Sequence, residues 1–391
     1  MITNEKDFTS TSIIKDTRLQ IFFRQTWIEI DKSDLHFNLK EIKRNIAKNT
    51  KIMAVVENNA YGHGGVLIAN EAQKSGISWF AVSSLEEGIH FRDSGIKSNI
   101  LILNNIYPTT NLQVAIVHSL IPTLSTISEL VVLENLALKL NKRINFHLKI
   151  DTGMGRIGVR SEMAYSLLQK IAKARKINMS GIYTHYSVSE IDSDFTKTQL
   201  EIFANIVKFA RINLGLKFLA HSANSAVLFR NKHTHFDMVR PGLSLYGLNP
   251  LKQINKLLKL KPILSWKTKI IFLKKVASGF CVSYGRTFVT NRASVIATIP
   301  VGYGDGYNRL LSNKGDVLVG GIRCPIAGKI TMNMTMIDVT AVKGVSLGSE
   351  VVLIGKQGKE QIRVDELAKI QGTINYEVTC IISSCIPRII V

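Results

Sequence analysis

"KIMAVVENNAYGHGG", residues 51–65, contains the unit from which the rest of the chain can be read. An apolar run, Ile52 to Val56, ends abruptly on the carboxylate Glu57 and passes into a polar turn carrying Tyr61 and His63. An unbroken apolar run of this length reads as a strand covered on both faces, as in a parallel sheet. The same pattern recurs in "WFAVSS" (79–84), "NILILNN" (99–105), "LIPTLST" (120–126), "INFHLKID" (144–151), "MSGIYTH" (179–185), "FLAHSAN" (218–224) and "FDMVRPG" (236–242). Amphipathic segments such as "SEMAYSLLQKIAKARK" and "DFTKTQLEIFANIVKFARINLG" separate several of these runs. About eight strand–helix units predict an α/β fold, a (β/α)8 barrel rather than an open doubly wound sheet.

After about Pro262 the pattern changes. Runs such as "KTKIIFLKKV", "SVIATIPVGYGDG", "GDVLVGGIRCPIAGK", "SEVVLIGKQG" and "CIISSCIPRIIV" alternate with Gly and Asn turns, which predicts a mainly β domain over 262–391. "RVDELAKIQG" is its one expected helix. The barrel is expected over 25–261, preceded by an extension, 1–24. The strand at 26–31 lies before the barrel pattern and is a candidate partner for the C-terminal domain.

Composition narrows the function classes. Of 391 residues, 46% are apolar, enough for a sizeable core and too many for a disordered chain. No apolar stretch approaches a membrane span, and the polar N-terminus lacks the apolar core of a secretory signal, so a cytoplasmic protein is expected. Cys281, Cys324, Cys380 and Cys385 are widely spaced and form no C-x-x-C pair. Reduced thiols are expected, with no disulfide framework and no metal site. The net charge is +21, and eight lysines with no acid lie between Lys252 and Lys275. No nucleic-acid motif or aromatic interleaving accompanies them, so a solvated face is expected, without a nucleic-acid or membrane partner. Small anions would still feel the field.

In a barrel of this kind, functional groups gather at the C-terminal ends of the strands. Strand one ends at Glu57, followed by Tyr61 and His63; strand five carries Lys149 and Asp151, then Arg156. Strand six ends at His185, strand seven in His221, Asn224 and Ser225, and strand eight in Arg240, Gly242 and Leu243. Ser225 and the Gly242–Leu243 amides follow strands seven and eight, the usual phosphate position.

Nine blocks, in order, carry a resemblance: "AVVENNAYGHG", "LKIDTGMGRIG", "GIYTHYS", "HSANSA", "DMVRPGLSLYG", "VSYGRTF", "IPVGYGDGY", "GKITMNMTMIDV" and "INYEVTC". They closely resemble the blocks of the bacterial alanine racemase family, from about Trp27 to the C-terminus. The resemblance implies a homodimeric pyridoxal 5'-phosphate (PLP) enzyme acting on alanine, with a barrel followed by a β domain. It implies that Tyr61, Asn224, Ser225, Tyr376 and the amides of Gly242 and Leu243 hold the cofactor, chiefly its phosphate. Arg240 would face the pyridine nitrogen, with His185 buttressing it. Arg156 would contact cofactor and substrate carboxylate, and Lys149, carbamylated in many members, would pair with it. Tyr284 and Met332 would come from the partner subunit, Tyr284 as the base acting on L-alanine and Met332 as a substrate contact.

The sequence departs from the family at the opening block, which there reads A-V-V-K-A-N-A-Y-G-H-G. The Schiff-base lysine, also the base acting on D-alanine, is replaced by Glu57, and the next residue is Asn58. A carboxylate cannot form an imine with an aldehyde. Lys51 lies six residues upstream, and at about 3.3 Å per residue it sits near the other end of the strand. Lys329 and Asn333 are lesser departures. Three readings follow: a racemase by descent with one disabling change, an inactive homologue that binds PLP or dimerises, or a basic binding protein on a racemase scaffold. Retention of Arg156, His185, Ser225, Arg240 and Tyr284 favours the first.

Overall fold

The computed structural model describes residues 23, 25–190, 193–249 and 259–391. Nearly all of the expected 1–24 extension, and residues 250–258 of the lysine-rich run, lie outside them. The described chain forms two units. One comprises Ser33–Tyr61 and Gly65–Pro262; the other comprises the described residues before Ser33, Gly62–Gly64, and Ile263–Val391.

In the first unit, eight parallel strands follow the sequence pattern: Lys51–Val55, Trp79–Val82, Asn99–Ile102, Thr123–Leu124, Ile144–Asp151, Ile177–Tyr183, Leu219–His221 and Met238–Val239. Counted along the chain, they lie in the spatial order three, two, one, eight, seven, six, five, four. The ring nearly closes between strands three and four. There Ile102 N–H donates to the Ile121 carbonyl, and Ile121 N–H to that of Ile100, each at 2.9 Å. Alternate residues point inward, as strand geometry requires: Met53, Val55, Trp79, Ala81, Leu101 and Met238 share one buried cluster. Ala54 and Phe80, between them, are also fully buried. Continuous burial on both faces is why these runs read as unbroken apolar stretches.

Helices separate the strands, and their starts are specified locally. Thr126 and Glu129 form a reciprocal capping box at the head of Ile127–Lys139. Ser84 accepts from Glu87 N–H at the head of Leu85–Asp93.

The second unit is mainly β. Its largest sheet places Thr26–Ile30 antiparallel to Leu264–Lys269 and parallel to Arg388–Ile390. Asp316–Val319 and Ile322–Pro325 form a hairpin that turns at Gly320 and Gly321, whose φ values of 59° and 75° suit a tight two-residue turn. Arg388 donates to the Gly62 carbonyl at 3.1 and 3.2 Å.

Two expectations needed correction. "KTKIIFLKKV" is two strands, Leu264–Lys269 and Phe272–Val276, because the chain passes from one sheet to another there. "CIISSCIPRIIV" is strand only at Arg388–Ile390, and a second helix, Asn375–Cys380, precedes it. Val378 and Thr379 are the buried residues of that helix, and Ile382 and Ile386 are buried in the turns that follow it.

Part of the lysine-rich face is internally paired. Lys261 lies 2.9 Å from Asp34, and Lys267 lies 2.9 Å from Glu29 and 3.5 Å from Glu350. Among the described residues, no helix is long and apolar enough to cross a membrane.

Candidate active site

The first barrel strand ends in a left-handed turn. Asn58, Asn59, Ala60 and Tyr61 have φ values of 49°, 52°, 54° and 53°. Asparagine tolerates this region, whereas Ala60 and Tyr61 each cost about 1–2 kcal/mol. The turn is held on several sides. Ala60 N–H donates to the Val56 carbonyl at 2.9 Å, and Gly65 N–H to Asn59 Oδ1 at 2.8 Å. Asn58 N–H donates to Glu87, whose other carboxylate oxygen takes the N–H and hydroxyl of Ser83, both at 2.8 Å. Strain held by surrounding bonds is common where a side chain must be aimed. The residue aimed here is Tyr61: its Oη donates to Glu57 Oε1 at 3.2 Å. A Cβ added at Gly242 would lie 2.8 Å from the same Oη, so glycine lets the tyrosine approach the loop after strand eight.

That loop gathers donors. Gly242 N–H, Ser244 N–H and Ser244 Oγ converge on Ser225 Oγ at 3.0, 3.2 and 3.1 Å. The N–H of Leu243, between them, has no acceptor among the described residues. Asn224 positions Ser225: its Oδ1 accepts from the amides of Ala226 and Val227 at 3.0 and 3.2 Å, and its Nδ2 donates to Ser189 Oγ at 3.0 Å. Three donors thus hold Ser225 Oγ, leaving its own O–H and the Leu243 N–H as the donors for an anion.

Below the mouth lies a buried cation. Arg240, 4% exposed, donates to His221 Nδ1 at 2.9 Å and to the carbonyls of Thr184 and Ser222 at 2.7 and 3.1 Å. His221 Nε2 meets His147 Nδ1 at 2.9 Å, and Tyr183 stacks on His221 with centroids 4.9 Å apart. The expected buttress, His185, makes no bond to Arg240; His221 holds that place. The His185 imidazole is pushed down to about 3 by burial and then by Arg240, Arg156 and Lys149. His147, Tyr183 and Ser244 were not singled out from sequence. A signal for His147 existed: Gly181 interrupts strand six, and a Cβ there would strike the His147 ring at 2.4–2.5 Å.

Lys149 is 4% exposed, with Nζ 5.4 Å from the centre of the Tyr183 ring and no hydrogen bond or ion pair among the described residues. Burial, then Arg156 and Arg240, lowers its ammonium to about 8, with Glu57 and Asp151 pulling it upward. Asp151 accepts from the amides of Gly153, Met154 and Gly155 at 2.9–3.1 Å and so shapes the loop that carries the exposed Arg156. Burial raises the Glu57 carboxyl above its usual range. Tyr61 opposes the rise, Glu87 adds to it, and Arg156 and Lys149 oppose it.

Within the second unit, Tyr284 is 72% exposed and Met332 56%. Tyr284 follows Ser283, whose φ is 65°, and its loop continues through Gly285 and Arg286 at 71° and 50°. With Tyr303, Arg309 and Thr331 it lines a cleft of about 670 Å³. Gly304 N–H donates to the Met332 carbonyl at 2.8 Å. Tyr376 is half-buried in the helix Asn375–Cys380.

Residues 30–250 match the family model of the alanine racemase N-terminal domain, and 263–390 that of the C-terminal domain. The chain belongs to the alanine racemase family. The alanine racemase of Halothermothrix orenii is 43% identical over 369 residues, covering 93% of this chain and 96% of the relative. The fold superimposes on the alanine racemase of Bacillus anthracis with bound L-Ala-P, with a TM-score of 0.86 and 35% identity over 94% of this chain and 95% of that one. The alanine racemase of Bartonella henselae with covalently bound pyridoxal phosphate gives a TM-score of 0.83 and 27% identity, over 94% and 99% of the two chains. The alanine racemase fold, a nearly closed barrel followed by a mainly β domain, is therefore that of this chain, and the family is one of amino-acid isomerases.

Proposed function

We propose that this chain is an alanine racemase by descent, built to interconvert L- and D-alanine with PLP as a cytoplasmic homodimer supplying D-alanine for peptidoglycan. As it stands, Glu57 slows its turnover by orders of magnitude. The observation that carries this reading is the retention of Tyr61, Lys149, Arg156, Ser225 and Arg240 around the changed side chain at 57, the carboxylate bonded to Tyr61 Oη at 3.2 Å.

The residues fit most of the cofactor. The Leu243 amide, without an acceptor among the described residues, and the Ser225 hydroxyl proton supply donors for a phosphate. The Gly242 and Ser244 amides, which donate to Ser225 Oγ, would turn to it, and Tyr61 and Tyr376 are further candidates to hold it. Asn224 keeps Ser225 in place. Arg240 is read, from the resemblance, as the residue facing the ring nitrogen, and a fixed cation there would keep that nitrogen unprotonated. At position 57 the fit fails, because a carboxylate offers no amine for covalent attachment. Bound PLP supplies electron withdrawal at the substrate's α carbon.

The chain's own residues do the rest. Arg156 holds the substrate together with the Met332 backbone of a second copy, and Tyr284 of that copy removes the α proton of L-alanine; the exposure of both suits residues that serve another subunit. Carbamylated as in many relatives, Lys149 would supply the anion that pairs with Arg156; as a free ammonium it repels it. Glu57 can accept a proton on the opposite face, and its raised pKa makes it a stronger base than an ordinary carboxylate.

The test is a racemisation assay in both directions on the chain and on Glu57→Lys, each supplied with PLP. The expected outcome is trace turnover for the former and a gain of at least about a hundredfold for Glu57→Lys, the scale of one positioned acid–base group. No gain would mean that the site has lost more than its lysine.

A further inference from the structure

The carboxylate that disables attachment creates a complementary site of its own. We propose that the mouth takes the amine form of the cofactor, pyridoxamine 5'-phosphate, as a non-covalent ligand, its ammonium group on Glu57, in preference to the aldehyde form. This rests on reading the Ser225–Gly242–Ser244 cluster as a phosphate cradle.

Glu57 is the acid of the mouth with a free oxygen. Glu87 is committed to Asn58 and Ser83, and Asp151 to three amides of its own loop. Glu57 Oε1 takes one donor, Tyr61 Oη, and Oε2 takes none among the described residues. It forms no ion pair with Lys149 or Arg156 among them. A half-buried carboxylate with one bond to a neutral hydroxyl is undercompensated, and a cation beside it is the strongest remedy.

The same tyrosine ties this acid to the cradle. Tyr61 Oη is 3.2 Å from Glu57 and reaches the backbone of Gly242, where an added Cβ would lie 2.8 Å from it. In a pyridoxal-type ligand, the phosphate arm and the C4′ substituent sit on neighbouring ring carbons. A molecule anchored by phosphate at Gly242 therefore brings that substituent to the side of the ring that Glu57 flanks. An aldehyde there presents only lone pairs to a carboxylate. An aminomethyl group presents up to three N–H donors and a positive charge.

The preference can be measured without catalysis. The full chain is titrated by equilibrium dialysis, without amino acid, against pyridoxamine phosphate, PLP and 4′-deoxypyridoxine phosphate. The last carries a methyl at C4′ and cannot react with surface lysines. Pyridoxamine phosphate is expected to bind at least about tenfold more tightly than either of the others. Glu57→Gln should bring it within about threefold of the deoxy compound, and Ser225→Ala should weaken all three together. Equal affinity for the amine and methyl compounds would overturn the proposal and leave the cradle standing. So would a preference that survives Glu57→Gln. If neither the chain nor Glu57→Lys binds any of the three, the cradle reading falls as well.

Discussion

Arg240 donates to His221 Nδ1 across 2.9 Å, and this bond sets the protonation of two buried imidazoles. A guanidinium only donates, so His221 Nδ1 is a lone pair and its proton lies on Nε2. That proton points to His147 Nδ1 at 2.9 Å. His147 then carries its own proton on Nε2, a buried atom with no partner among the described residues. Both rings are held neutral, first by burial and then by Arg240.

Replacing His221 with phenylalanine keeps the bulk of the ring and removes the acceptor. The buried guanidinium keeps its two carbonyls and loses one charge-assisted bond, for an expected loss of about 2–3 kcal/mol in urea unfolding. A change under about 0.5 kcal/mol would mean that water or another group replaces the imidazole.

Acid should destabilise the barrel through its histidines. His147 and His185 are pushed down to about 3, and His221 well below its ordinary 6.5. Between those limits the unfolded chain binds more protons, so stability falls as pH drops from 6.5 towards 3. Urea midpoints measured from pH 7 to pH 4 should decline, and His147→Gln should decline less steeply.

Lys149 works in the opposite window. Its folded value of about 8 lies below the unfolded 10.5, so its contribution improves as pH rises between the two. Replacing it with methionine should stabilise the chain near pH 7 and remove that rise, a difference of at most about 3 kcal/mol. Unfolding at pH 7 and pH 10, for both chains, checks the sign.

Gly242→Ala should loosen phosphate binding without unfolding the protein. The added Cβ meets Tyr61 Oη at 2.8 Å and Cζ at 3.1 Å, so the tyrosine must move away from the cradle. An affinity loss of about tenfold for a pyridoxal-type phosphate, about 1.4 kcal/mol, is expected by equilibrium dialysis. Unchanged affinity would remove Tyr61 from the cradle.

The strands of the barrel were legible because burial on both faces leaves an unbroken apolar run, as at Met53–Val55 and Phe80–Val82. The polar strand ends were legible because five of those runs end in ionisable or hydroxyl groups. The partner of Arg240 was not. His185 and His221 both stand at strand ends, and which imidazole meets the guanidinium depends on the pairing of strands six, seven and eight. The left-handed turn was hidden because Ala60 and Tyr61 carry no mark of positive φ; the Glu87 bond that helps hold it comes from 29 residues away. The helix Asn375–Cys380 was missed because its six residues are too few to show a helical period.

The central claim is that residue 57 leaves the site without a covalent tether. Borohydride reduction of the full chain with one equivalent of PLP, followed by tryptic mass analysis, tests it directly. The account predicts no stoichiometric cofactor mass on any lysine of the unaltered chain, and one on the peptide spanning position 57 in Glu57→Lys. A stoichiometric adduct on Lys149, or on any other lysine of the unaltered chain, would contradict it.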